Sequence, residues 1–284
     1  MPHRPVIPQR NLSVLSNRLA ESGGQRIPEA VLERDYCLAW FLVGLSQAEL
    51  GTRLAFKGGT ALKRCYFGTY RFSEDLDFTL RYGMTLGAVE EELQPVFAAV
   101  RRSSGIRFQY LRNDKHGHEN SNTFYVGYEG PLPTSSPKEV KVDVTLREAI
   151  VRPLQRRPVV RGYDEYEDLP GDALLEVYSL DEIAIEKLVA LGDRARNEPR
   201  DLYDLWYLTT NKYADLFLLR PDVQTKVEFR GRAIESIGEE FVRKEARLRS
   251  QWDRRLGNQV AELPEFDGVY REAKRTLREA GLVS

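Results

Sequence analysis

The residues best suited to chemistry lie in Arg71-Phe72-Ser73-Glu74-Asp75-Leu76-Asp77-Phe78, where two carboxylates are separated by one residue. Phe72, Leu76, Phe78 and Leu80 alternate with Ser73, Asp75, Asp77 and Thr79, which predicts a strand over Leu76–Leu80. On a strand, residues i and i+2 point to one face, so Asp75 and Asp77 sit together with Cα atoms roughly 6–7 Å apart. Paired hard oxygens suit Mg²⁺, which takes few protein carboxylates and fills its octahedron with phosphates and water. A cation also relieves the repulsion between the two charges. The spacing by itself equally describes a solvated strand face.

A second alternating stretch places Val140, Val142, Val144 and Leu146 on one side and Lys141, Asp143 and Thr145 on the other. Asp143 is therefore a candidate third carboxylate. Three can hold two metal ions, one activating an attacking oxygen and one clamping a triphosphate. Lys57-Gly58-Gly59-Thr60 precedes this region, after the short apolar run Leu54-Ala55-Phe56. The pattern predicts a strand, a tight turn and a helix from Thr60 to about Tyr66. Glycines let the backbone approach a phosphate, the helix start offers N–H groups, and the Thr60 hydroxyl can add a hydrogen bond. The Walker spacing is absent, and an ordinary strand-to-helix turn fits as well.

These residues need elements to position them. Residues 28–50 and 85–102 are predicted helical, the first with Pro28 in its first turn and the second with a kink at Pro95. Strands are predicted near residues 106–112 and 123–128, with His116 and His118 in the polar loop between them. That pair has no third ligand nearby and is read as solvent loop. Ser179-Leu180-Asp181-Glu182 has the form of a capping box, predicting a helix from Leu180 to about Arg194, and a second helix starts near Arg200 after Pro199. The organisation expected is an α/β domain over residues 1–175, with helices at its N-terminus, and a helical domain over 176–284.

Composition narrows little further. The chain has 284 residues, 42% hydrophobic and 30% charged, with a formal net charge of −1. Global charge implies no partner, though local basic stretches could meet nucleic acid. One holds Arg147, Arg152, Arg156, Arg157 and Arg161. The other, Arg243, Lys244, Arg247, Arg249, Arg254 and Arg255, is interleaved with acids and fits an exposed helix face as well. The first is the better RNA candidate. Cys37 and Cys65 have neither disulfide nor metal-ligand spacing and read as buried thiols of a cytoplasmic protein. No apolar run reaches the ~20 residues a membrane span needs.

Lys57-Gly58-Gly59-Thr60-Ala61-Leu62 followed by Arg71–Phe78 resembles the first motif of the AbiEii-type (MenT-like) toxin nucleotidyltransferases, in the polymerase-beta-like nucleotidyltransferase superfamily. Lys141-Val142-Asp143-Val144-Thr145 resembles their second motif, Glu186-Lys187-Leu188-Val189-Ala190-Leu191 the third, and Arg200-Asp201-Leu202-Tyr203-Asp204-Leu205 the fourth. The superfamily usually has Gly-Ser where this chain has Gly59-Thr60, a change that keeps the hydroxyl. The resemblance implies an α/β (α+β) fold: a polymerase-beta-like core on a mixed sheet, followed by a C-terminal helical domain contributing Lys187 and Asp201.

It further implies a toxin of a toxin–antitoxin or phage-defence abortive-infection system. Such an enzyme adds a nucleoside monophosphate from an NTP to the 3′ acceptor end of tRNA, blocking translation, with a cognate antitoxin as partner. Asp75, Asp77 and Asp143 would hold Mg²⁺ or Mn²⁺. Gly58, Gly59, Thr60 and Ser73 would contact the nucleotide, and phosphate on Ser73 would inhibit by adding charge at the metal edge. Lys187, with Arg194 and Arg200, would neutralise phosphate charge, and Asp201 would orient Lys187 or contact the nucleotide. Lys187 lies in apolar company and needs an anion if buried. A protein or small-molecule hydroxyl as acceptor, and a catalytically silent binding protein, are the alternatives.

Overall fold

The computed structural model of the chain describes residues 7–22, 26–81, 86–115, 120–133 and 137–283. His116 and His118 lie outside the described residues. The chain divides into two compact units, one of residues up to Glu148 plus Leu154–Val177, the other of Ala149–Pro153 plus Tyr178 onward.

The first unit is built on a seven-stranded mixed sheet. Its strands are β1 (Leu54–Lys57), β2 (Leu76–Leu80), β3 (Arg107–Asn113), β4 (Ser121–Glu129), β5 (Lys138–Thr145), β6 (Gln155–Pro158) and β7 (Leu174–Val177), ordered β3-β4-β5-β2-β1-β7-β6. The helices are α1 (Gln9–Glu21), α2 (Glu29–Ser46), α3 (Leu50–Arg53), α4 (Gly58–Ala61) and α5 (Leu86–Ser104). Pro28 caps α2 from outside its first turn, and α5 continues across Pro95. One face of the sheet buries Phe124, Val126, Val140, Val142, Val144, Leu76 and Phe78. The alternate residues Thr123, Tyr125, Lys141, Asp143 and Asp77 remain half-buried on the other face. Period-two alternation thus separates core from chemistry.

Two strands were not anticipated. β7 is four residues long and pairs parallel with β1 through Phe56 and Val177, and β6 is the edge strand Gln-Arg-Arg-Pro. Neither is long enough to carry a period, and a Pro-ended, arginine-rich edge is unlike a core strand. The expected helix after the glycine turn also differs. One α turn, α4, passes into a π-helix over Leu62–Phe67, closed by Gly68 N–H to Lys63 O at 2.9 Å.

The π-helix inserts two basic side chains into the core. Arg64 is fully buried, ion-paired with Asp35, and donates to the carbonyls of Val160 at 3.3 Å and Arg161 at 3.1 Å. Tyr166 donates to the same Asp35 carboxylate at 3.2 Å. The Lys63 ammonium donates to Gly68 O, Tyr70 O and Tyr163 Oη at 2.9–3.1 Å and lies 4.1 Å from the Phe72 ring centroid. These contacts tie the segments just before β2 and after β6 to one buried anchor.

The second unit holds α6 (Leu180–Leu191), α7 (Pro199–Thr210), α8 (Leu216–Phe229), α9 (Glu235–Arg243), α10 (Glu245–Leu256) and α11 (Phe266–Glu279). Ser179 caps α6 as its sequence implies, accepting from the Glu182 N–H at 3.2 Å. Glu182 reaches inward instead of back to the cap. It pairs with the fully buried Lys226 and accepts the N–H groups of Val151 and Arg152 at 3.0 and 2.7 Å, which binds 149–153 to this unit. Phe241 stacks on Tyr270 with ring centroids 4.8 Å apart. Among the described residues no helix is long and apolar enough to cross a membrane.

Candidate active site

Strand register brings the predicted carboxylates together. β2 pairs parallel with β5 so that Asp77 lies opposite Asp143, β1 places Lys57 opposite Asp77, and β4 places Thr123 opposite Asp143. A row of four polar side chains, Thr123, Asp143, Asp77 and Lys57, therefore crosses four adjacent strands on the half-open face. Asp75 stands immediately before β2.

The Asp143 carboxylate accepts from the Thr123 hydroxyl and from Lys141 Nζ at 2.7 Å. Burial would lower the Lys141 pKa, but its bond to Asp143 and the charges of Asp143, Asp75 and Asp77 raise it. The ammonium thus sits in the field of all three carboxylates. Lys57, buried, reaches across β2 to donate to Thr145 Oγ1 on β5 at 3.1 Å. Among the described residues no group of three His, Cys, Asp or Glu side chains is arranged to hold a metal ion by itself. Mg²⁺ does not require one: one or two carboxylates plus substrate phosphates complete its shell, and the oxygens of Asp75 and Asp77 are donors of that kind.

The glycine turn is shaped to these groups. Gly58 has φ +80°, and a Cβ there would lie 2.4 Å from Asp77 Oδ2; a Cβ on Gly59 would lie 2.4 Å from the Arg71 guanidinium. Gly58 is required by its left-handed φ and the close Asp77 carboxylate, whereas a side chain at Gly59 would displace the Arg71 guanidinium. The Thr60 hydroxyl donates to Asp75 O at 2.6 Å, so its proton holds the entry to β2 and is not directed at a ligand. Ser73 is buried, out of reach of a modifying enzyme while the turn is folded.

Arg71 is the group that the sequence motifs named without a role. It is buried, lies under Gly59 and donates to Phe72 O at 3.1 Å, which brings a fixed positive charge to the turn. Lys57 and Lys141 were also passed over. Lysines beside aspartates on alternating strands are the signal that could have found them.

In the helical unit, Lys187 is buried, and its anions are Asp201 at 2.9 Å and Asp204 at 2.8 Å. Arg196 completes the group with Nε 2.5 Å from Asp201. Two cations and two carboxylates balance. Asp204 was overlooked, although three residues after Asp201 on a helix it must share that face. Arg194 is exposed, and Arg200 pairs with Glu198 at 3.2 Å. Burial alone would raise the Asp201 pKa, but Lys187 and Arg196 hold it well below the ordinary carboxylate range.

The sign follows for acid stability. The folded pKa lies below the unfolded value of about 3.9, so Asp201 stabilises fully above about pH 4 and loses that contribution as pH falls further. Asp201→Asn is expected to cost about 2–3 kcal/mol at pH 7 and distinctly less at pH 3, measured by urea unfolding at both values. An equal loss at the two would refute the linkage.

The basic stretches are partly consumed internally. Arg152 pairs with Asp222 at 2.5 Å, Arg157 donates to Cys65 O and covers the Tyr66 ring, and Arg161 donates to Leu169 O. Arg147 and Arg156 are exposed. In the second stretch Lys244 is buried against Leu191 O and Asp193 O, Arg243 pairs with Glu240, and Arg249 pairs with Glu245 and Asp267. Arg247, Arg254 and Arg255 are exposed, so this stretch is part ion-paired and part open surface. Both cysteines are buried thiols, and burial pushes the Cys65 pKa up to about 12.

A family model described as nucleotidyl transferase AbiEii toxin, type IV TA system, matches residues 40–272. No curated protein matches the chain in sequence. A putative nucleotidyltransferase from H. pylori superposes with a TM-score of 0.56 at 18% identity, covering 89% of this chain and 96% of its own. MenT4, a nucleotidyltransferase toxin from Mycobacterium tuberculosis, superposes with a TM-score of 0.59 at 16% identity, covering 96% of this chain and 90% of its own. At such identities the likeness is one of fold.

Proposed function

The chain belongs to the AbiEii nucleotidyl transferase toxin family of type IV toxin–antitoxin systems, and on that footing we propose that it transfers a nucleoside monophosphate from an NTP to the 3′ end of tRNA. The acceptor hydroxyl attacks the α-phosphorus, pyrophosphate leaves, and the blocked acceptor stem halts translation. The observation that carries the reading is the Asp77–Asp143 register beside a glycine turn that touches Asp77. It supports a polarised triphosphate and an acceptor oxygen meeting at one edge of the sheet.

Asp75 and Asp77 are the proposed Mg²⁺ ligands, and Asp143 a third ligand or the acceptor of the attacking proton. Bound there, Mg²⁺ would neutralise triphosphate charge and polarise the reacting phosphorus. Gly58 and Gly59 admit the phosphates, with Arg71 below them. Lys187, oriented by Asp201, is assigned to phosphate charge in the same reaction, with Arg194 and Arg200. Catalysis of this kind rests on positioning and charge neutralisation more than on covalent chemistry. A cognate antitoxin, a cytoplasmic site of action and a role in phage defence belong to the same proposal.

Label transfer tests it. Purified protein with each α-labelled NTP, Mg²⁺ and total tRNA should label RNA, and Asp75→Ala should not. Unlabelled RNA with every NTP would remove the tRNA assignment, and label persisting in Asp75→Ala would remove the site. Gly58→Ala probes the turn separately. It forces a side chain into a left-handed conformation at about 1–2 kcal/mol and displaces Asp77. The rate is expected to fall about a hundredfold with the fold intact by thermal melting, and an unchanged rate would contradict the close approach.

A further inference from the structure

The functional face of the sheet continues past Asp143 to an aromatic side chain that nothing above uses. Tyr125 on β4 lies opposite Lys141, two residues from Thr123, which lies opposite Asp143. That spacing is roughly 7 Å along the strand, close to the reach from a terminal ribose to its base. The ring is half-buried on the open face.

Tyr125 is also fixed in place. The Arg112 guanidinium covers its ring at 4.1 Å from the centroid, and the phenol donates to Asp114 Oδ2 at 3.0 Å. Arg112 is itself held bidentately by Glu139 at 2.6 and 3.0 Å. Glu139 registers with Gly127, on the side of Tyr125 away from Thr123 and Asp143. The guanidinium is thus drawn toward the Gly127 end of the strand, and Thr123, opposite Asp143, lies two residues from Tyr125 in the other direction.

We propose that Tyr125, braced by Arg112, is a stacking platform for a nucleobase at the reaction centre. Every base presents a π-face, so the platform places a nucleotide without reading its identity, while Arg112 adds positive charge behind the ring. The base is either that of the acceptor's terminal nucleotide or that of the incoming NTP. The inference rests on the nucleotidyl-transfer reading for its purpose, but its test does not require turnover.

Equilibrium binding separates the two sources. A short fluorescein-labelled single-stranded RNA with a free 3′ hydroxyl is followed by anisotropy, and each NTP by calorimetry. Tyr125→Leu is expected to weaken one of them about tenfold to a hundredfold, and Tyr125→Trp to retain it. Loss for RNA assigns the platform to the acceptor, and loss for an NTP to the incoming nucleotide. Unchanged binding of both in a folded Tyr125→Leu protein overturns the platform and leaves nucleotidyl transfer standing. Should Tyr125→Leu lower the melting temperature, quenching of the new indole in Tyr125→Trp by either ligand decides instead, and no quenching overturns it. A failure of label transfer with binding still dependent on Tyr125 strikes the proposed reaction and not the platform.

Discussion

Asp77→Asn is expected to lower nucleotidyl transfer by about a thousandfold or more, because metal-assisted charge stabilisation is worth several kcal/mol. The same substitution should leave the fold as stable as before or slightly more so. Asp77 lies in register with Asp143 and close to Asp75, so three carboxylates share one stretch of the sheet face. Removing one charge from such a group relieves repulsion. The combination separates a metal site from a structural ion cluster, whose loss would cost stability. Mg²⁺ with NTP should raise the melting temperature of the native chain and fail to do so for Asp77→Asn, since a ligand stabilises only the state that binds it. Native rates in Asp77→Asn, or an unaltered Mg²⁺ response, would falsify the assignment.

Arg64→Met is expected to be the most destabilising substitution in the sheet unit, at about 3–5 kcal/mol, because it leaves the buried Asp35 carboxylate without its cation. For a chain of this size that corresponds to a fall in melting temperature on the order of 10 °C. The companion experiment is the double variant Arg64→Met with Asp35→Leu, which removes both charges and should recover most of the loss. A single variant that melts with the native protein would show that the pair is not an anchor. Since Arg64 also holds Val160 and Arg161 through their carbonyls, recovery should remain incomplete.

Much of the scaffold was legible because its signals are local. Alternation in Phe72–Leu80 and Val140–Leu146 predicted β2 and β5 and placed the aspartates on their polar sides. The Ser179 cap located the start of α6 to the residue. β6 and β7 escaped because a four-residue strand has no period to detect. The π-helix escaped because nothing in Leu62–Phe67 distinguishes a wider turn from an α turn without the buried partners of Lys63 and Arg64.

The residue types at the site were likewise present in the sequence, but their assembly was not. Asp75, Asp77, Asp143, the glycine pair and the capped helix carrying Lys187 are local patterns whose chemistry follows from side-chain type and spacing. Which strand lies beside which is a matter of non-local packing. Only the parallel register of β2 with β5 sets Asp77 against Asp143, and only burial turns Thr60 toward Asp75 O, presses Arg71 under Gly59 and gives Lys187 a second carboxylate in Asp204. Periodicity specifies which face a side chain occupies, whereas the neighbours it meets there are chosen by the sheet as a whole, because register is decided by the core face and not by the polar residues that depend on it.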